Sequence, residues 1–195
     1  MPALHYGRVH LCVHTYAAFA RRYLAVIMPA MTIDPAPRPV ICPPQAVLAE
    51  WIDYNSHMNL AYYVLAFDRA LDYVLDMLEI GPQYVERGEG SCFVLQNHLH
   101  YLHELKQDEV FSTEFQMIDL DSKRIHYFLS MRNNGDGTIA ATAEQITLHV
   151  DLQTRRPTAL PAAALRRLET MLESHRQLPR PRQLGAPIGI HRRGQ

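Results

Sequence analysis

The stretch Trp51-Ile52-Asp53-Tyr54-Asn55-Ser56-His57-Met58-Asn59 decides how the chain is read. Asp53, Asn55, His57 and Asn59 alternate with other residues directly before a long apolar-periodic segment. Over 60–80, Leu60, Tyr63, Val64, Phe67, Leu71, Val74, Leu75 and Leu78 recur at helical spacing, which predicts a mostly buried helix. Gly81-Pro82 marks its expected end. Asn and Asp are favoured just before a first turn because their side-chain oxygens bond its unpaired amides. A cap needs one or two such residues, so four in one loop point to chemistry. The opening turn of a helix also offers amides and a positive dipole end, which suit a developing oxyanion.

Bulk composition narrows that chemistry. The 195 residues suit one domain with a full core and short tails. A formal net charge of −1 gives no electrostatic footprint for nucleic acid or a membrane surface. Cys12, Cys42 and Cys92 are widely spaced and form no Cys-x-x-Cys pair. Neither a zinc knuckle nor a disulfide framework is indicated, and a reducing, cytoplasmic setting fits. Residues 1–37 read as an N-terminal extension. Its apolar part, 11–30, is broken by Arg21-Arg22 and is too short and too charged to span a bilayer. No charged secretory n-region precedes it. Met31 opens a polar, Pro-rich lead-in, so the expectation is translation from Met31 or Met28, with 1–37 disordered or a start assigned too early.

Beyond the motif the chain reads as β structure. Residues 40–50 predict a first strand, held to an edge by Pro43-Pro44. A loop is expected over 82–90. Residues 91–105 predict a long strand, with Phe93, Leu95, Leu99 and Tyr101 on one face and Gln96, His98 and His100 on the other. Further strands are expected over 109–118, 123–132 and 138–150, the last two joined by Asn133-Asn134-Gly135-Asp136-Gly137, a strong hairpin signal. Residues 160–178 predict a short amphipathic helix, and 179–195 a Pro/Arg-rich arm. The implied class is α+β, with one antiparallel sheet wrapped around a long central helix.

This order of elements resembles the hot-dog fold of acyl-CoA thioesterases over about residues 38–190, with 38–178 as the domain proper. The run Asp53-x-Asn55-x-His57-x-Asn59 is similar to a signature of that family, shared with plant acyl-carrier thioesterases. In those enzymes the motif's Asp, Asn and His act with a later Glu in a Tyr-x-x-Glu context, matched here by Tyr101-Leu102-His103-Glu104. The resemblance therefore implies Asp53, Asn55, His57 and Glu104 as catalytic residues, and a dimer or dimer of dimers. A narrower likeness, to the thioesterases linked to carnitine dehydrogenase, rests on Glu50–Met58, Lys123-Arg124-Ile125-His126, Ala143-Glu144-Gln145, Leu148-His149-Val150-Asp151 and Leu178-Pro179-Arg180-Pro181. It implies hydrolysis of betainyl-CoA and a functional link to that dehydrogenase. Ser56 departs from the pattern, standing where Gly is usual.

Thioester hydrolysis needs a polarised carbonyl and an activated water or nucleophile. Asp53 and Glu104 are the candidate carboxylates. Asn55 has no base function and reads as an orienting or oxyanion group, while His57 could polarise the carbonyl or orient water. For a quaternary ammonium acyl group, aromatic faces are expected; Trp51, Tyr54 and Tyr62, with Asn59, are the candidate substrate-binding residues, and Tyr63 reads as core. No cofactor is expected, CoA being part of the substrate. His98, His100 and His103 do not share one strand face, so no metal site is assigned. The competing readings are a hydratase or dehydratase acting on acyl thioesters, and a non-catalytic acyl-CoA-binding module.

Overall fold

The structure is a computed structural model that describes residues 37–190, so the expectation for the N-terminal extension lies outside the described residues, as do 191–195 of the arm. The element order is β1 (Val40–Ile41), β2 (Gln45–Ala46), a 3-10 turn (Ala49–Trp51), α1 (Leu60–Met77), α2 (Pro82–Glu86), β3 (Ser91–Tyr101), β4 (Val110–Leu120), β5 (Arg124–Asn133), β6 (Ile139–Val150) and α3 (Ala162–His175). All strands join one antiparallel sheet in the order β1-β4-β5-β6-β3, with β2 beside β1 on the same edge of β4. The expected α+β architecture is the one observed.

The core forms where the apolar stripe of α1 meets one sheet face. Tyr63, Ala66, Phe67, Ala70, Leu71 and Val74 cluster with Phe111, Phe115, Met117, Tyr127, Leu129, Met131, Ala141 and Ala143. These sheet residues alternate along their strands, as a single buried face requires. α3 packs against β4, adding Ala164, Leu168 and Leu172 to the same core. It is tied to β4 by buried His175, whose Nδ1 accepts the Met117 amide at 2.8 Å. Arg167 on α3 reaches the end of α1, donating to the Leu78 carbonyl at 3.3 Å and pairing with Glu79 at 2.9 Å. A cation there also meets the negative end of the helix dipole.

Several sequence expectations need correction. The single strand over 40–50 is two two-residue strands, because Pro43-Pro44 removes two ladder donors between them. α1 ends at Met77, before Gly81. Glu79 takes the left-handed conformation (φ 62°) and the Ile80 amide bonds back to Leu75 at 3.0 Å, a terminal turn closed without glycine. Gly81 is needed for a different reason: a Cβ there would lie 2.7 Å from the Asp76 amide. Pro82 then starts α2 within the expected loop, using its preset φ at the first helical position. In β3 a register shift between Val94 and Gln96 moves Phe93 onto the face of Gln96, His98 and His100.

The arm is seated rather than loose. Gln116 on β4 donates to the Pro179 carbonyl at 3.3 Å, and the Gly185 amide donates to Glu144 on β6 at 2.6 Å. Phe128 on β5 pairs in register with both Gln116 and Glu144, so the arm crosses directly over it. That crossing explains why Phe128, on the sheet face away from α1, is only 2% exposed.

The flank of α1 turned from the core carries Asp68, Asp72 and Asp76 at successive four-residue steps. Burial first, then the neighbouring Asp68 and Asp76 charges, push the Asp72 carboxyl from 3.8 up to about 6. The folded chain thus holds this proton more tightly than the unfolded one. The stabilising contribution is complete below the unfolded value and lost as pH rises through about 6. The full shift corresponds to about 3 kcal/mol at most, and solvent screening of a half-exposed carboxylate reduces it to about 1–2 kcal/mol. Asp72→Asn is therefore expected to be more stable than wild type at pH near 7, with the gain vanishing near pH 4, as read by urea unfolding at both values.

Candidate active site

The motif forms a closed loop between Trp51 and the mouth of α1. Ile52 and Met58 pair as an isolated antiparallel bridge, the Asp53 amide donates to the His57 carbonyl at 3.1 Å, and the Ser56 amide to the Asp53 carbonyl at 3.0 Å. The Asp53 side chain braces the turn from inside. Its Oδ1 accepts the Asn55 amide at 2.7 Å, and its Oδ2 lies 3.4 Å from Asn59 Nδ2. Ser56 sits at φ 64°, the left-handed region that glycine occupies at no cost, which accounts for glycine being usual there.

Asn59 is the N-cap of α1, its Oδ1 accepting the Ala61 amide at 3.0 Å while its carbonyl accepts the Tyr62 amide at 3.0 Å. Two opening amides are consumed in this way. Among the described residues only the exposed Leu60 leaves its opening-turn amide without such a partner, so the oxyanion-binding capacity of the helix mouth is narrower than the sequence suggested. His57 is half-buried, with Nδ1 3.2 Å from the Met58 carbonyl. A carbonyl only accepts, so Nδ1 is the donor here, and in the neutral ring Nε2 is the acceptor. In that form Nε2 can hold a water by accepting one of its hydrogens.

The Asp53 and Asn59 side chains are thus brought together and His57 is joined to Asp53 through the backbone, with Asn55 exposed at the tip of the loop. Glu104 is not joined to them by any hydrogen bond among the described residues. It is exposed and pairs with Lys106 at 3.4 Å. Two of the proposed aromatic contacts are committed elsewhere. Trp51 is 3% exposed, stacked on Tyr62 (5.4 Å between ring centroids, 12° between planes) with the Arg69 guanidinium 5.3 Å from its ring centre. That packing withdraws Trp51 from a substrate cage, since its ring already holds an aromatic and a cation. Tyr54 is 93% exposed and Tyr62 half-buried. His98 and His100 do share a strand face, with rings 4.6 Å apart, while His103 falls beyond the end of β3. Among the described residues no group of three or more His, Cys, Asp or Glu is arranged to hold a metal ion.

Sequence reasoning missed Leu105. This fully buried residue accepts the Met58 amide at 2.7 Å and donates its own amide to the Tyr63 hydroxyl at 3.1 Å. The available signal was Tyr63 itself, a hydroxyl on an otherwise apolar helical stripe.

A long helix laid on one antiparallel sheet, with a polar turn at its mouth, defines a hot-dog protein. The profile of the thioesterase-like superfamily matches residues 47–168, and the chain belongs to that family; it is a thioester hydrolase. It is 35% identical over 144 residues to the betainyl-CoA thioesterase of Pseudomonas aeruginosa, covering 74% of this chain and 91% of that protein. It is 34% identical over 146 residues to the L-carnitine dehydrogenase/betainyl-CoA thioesterase of Rhizobium meliloti, covering 75% of this chain and 29% of that longer protein. Among solved structures, a hypothetical protein of Staphylococcus aureus characterised in complex with CoA superposes with a TM-score of 0.74 at 29% identity, over 84% of this chain and 100% of that one. No helix among the described residues is long and apolar enough to cross a membrane.

The strain at Ser56 gives a direct check on the loop. Relief of a left-handed non-glycine conformation is worth about 1–2 kcal/mol, of which glycine's greater unfolded-state freedom takes back about 0.5–1 kcal/mol. Ser56→Gly is expected to raise stability by about 0.5–1 kcal/mol in chemical denaturation while leaving the fold unchanged.

Proposed function

We propose that the protein hydrolyses a small acyl-CoA, betainyl-CoA foremost, to the free acid and CoA, with water as the only co-reactant and no cofactor. The observation that carries this reading is the intact Asp53–Asn59 loop at the mouth of α1, in a chain whose relatives include named betainyl-CoA thioesterases. Water attacks the thioester carbon, the acyl carbon–sulfur bond breaks, and the proton released from water passes to the thiolate. Asp53 Oδ2, held only by a long contact to Asn59, is the oxygen assigned to accept that proton. His57 Nε2 orients the water through its lone pair. The Asn55 side-chain amide and the Leu60 amide are the assigned oxyanion donors. Glu104 has a minor role in this scheme, because its carboxylate is exposed and paired with Lys106.

The working unit is a homodimer or a dimer of dimers. β3 is the free edge of the sheet among the described residues, and it exposes Val94 and Leu95 (52% exposed), an edge that a second copy would pair and dry. The naming of relatives as fusions with L-carnitine dehydrogenase supports a place beside that enzyme in carnitine breakdown. A cytoplasmic location fits a CoA substrate and the burial of Cys42 and partly of Cys92, whose thiols burial pushes up to about 12.

CoA release from betainyl-, acetyl-, medium-chain and aromatic acyl-CoA tests the reading. The expected result is preference for betainyl-CoA, with Asp53→Asn lowering kcat roughly 10²-fold or more at little cost in melting temperature and Glu104→Gln lowering it by less than about threefold. Turnover of the neutral substrates alone would leave a thioesterase of other specificity. No turnover of any would favour a non-catalytic acyl-CoA-binding role.

A further inference from the structure

We propose that Tyr63 is a positioning residue for the reaction, its hydroxyl fixing the motif loop through the backbone of Leu105. This rests on the hydrolase reading above and extends it to a residue outside the motif. Tyr63 lies on the buried stripe of α1, 4% exposed, where a phenylalanine would fill the same space. Burying a hydroxyl is costly unless it is hydrogen-bonded, and this one accepts the Leu105 amide at 3.1 Å. Leu105, itself 0% exposed, passes the constraint on: its carbonyl accepts the Met58 amide at 2.7 Å.

Met58 is fully buried and stands between His57 and Asn59, so fixing its amide fixes the backbone that carries both side chains. Its carbonyl is also the acceptor that sets the His57 ring, with Nδ1 at 3.2 Å. Tyr63 is four residues beyond the Asn59 cap, whose amide donates to the Trp51 carbonyl at the start of the loop at 2.8 Å. Three segments are thereby closed into one ring of contacts: the motif loop, the opening of α1, and the 102–109 connection. The Tyr63 ring meets Tyr101 edge-on as well, at 5.3 Å and 79°, and so grips that connection where it leaves β3. The other described supports of the loop run within 51–61 or to Leu48, Ala49, Tyr62 and Arg69 beside it, and the Leu105 bridge is the described tie from Met58 to the sheet connection.

Tyr63→Phe keeps the ring and its contact with Tyr101 but orphans the buried Leu105 amide. The loop then loosens without any change in the groups that contact substrate. Because rate depends steeply on small misplacements of reacting groups, kcat is expected to fall about tenfold while KM stays within about twofold. Hydrogen exchange at the Leu105 and Met58 amides should accelerate at least about tenfold, with the β5 amides unchanged. Phe128→Leu, beneath the arm and away from the site, serves as the comparator that loses stability but keeps kcat. If Tyr63→Phe fails to fold, replacement of Tyr63 by a tyrosine fluorinated on both sides of the hydroxyl keeps the shape and weakens the oxygen as an acceptor. A smaller fall in kcat in the same sense is then expected. Wild-type kcat with faster Leu105 exchange would overturn the positioning role alone, as would a loss no greater than that of Phe128→Leu. Absence of turnover by the wild type would overturn the hydrolase reading, and this role with it.

Discussion

The apolar stripe of α1 is the constraint on which the rest depends. A helix with Tyr63, Phe67, Ala70, Leu71 and Val74 on one side is stable only if that side is dried. The long antiparallel strands supply the drying face, and α3, packed on β4, adds its own apolar side chains to that core. Once α1 is fixed, its first turn has one position relative to β3 and β4. The polar loop before it is then held between the helix mouth and the buried Leu105. A packing requirement therefore sets where the reactive groups stand.

Much of this was legible in the sequence because it rests on periodicity and on turn chemistry. The 3.6-residue spacing over 60–80 and the alternation over 123–132 report which faces are buried, so the start of α1 and both ends of β5 were readable almost to the residue. The Asn133–Gly137 turn was readable because left-handed positions demand such residues, and Gly137 occupies one. The failures have equally local causes. The end of α1 was misjudged because Glu79, not glycine, takes the left-handed position. The faces of β3 were misjudged because a bulge has no side-chain signature of its own.

The site was only partly legible. Asp53, His57 and Asn59 share one tight turn, with the Asp53 and Asn59 side chains in contact, because of their alternation, which spacing can reveal. That Trp51 is spent on Tyr62 and Arg69, and that Glu104 turns to Lys106, depends on contacts between distant segments that no local pattern encodes. The same holds for Leu105, whose contribution is made by backbone groups alone. The arm is an intermediate case. Its Pro/Arg composition suggested an arm or a loose tail, but its seat on Gln116 and Glu144 exists only once β4 and β6 flank Phe128.

The proposed substrate, betainyl-CoA, carries a quaternary ammonium that a site selective for it must read. The decisive measurement is kcat/KM for betainyl-CoA against tert-butylacetyl-CoA, a neutral thioester of the same shape. Recognition of the cation predicts a ratio above about tenfold, equivalent to about 1.4 kcal/mol of discrimination in favour of the charged substrate. Equal values for the two would contradict that selectivity, leaving a hydrolase that reads size rather than charge.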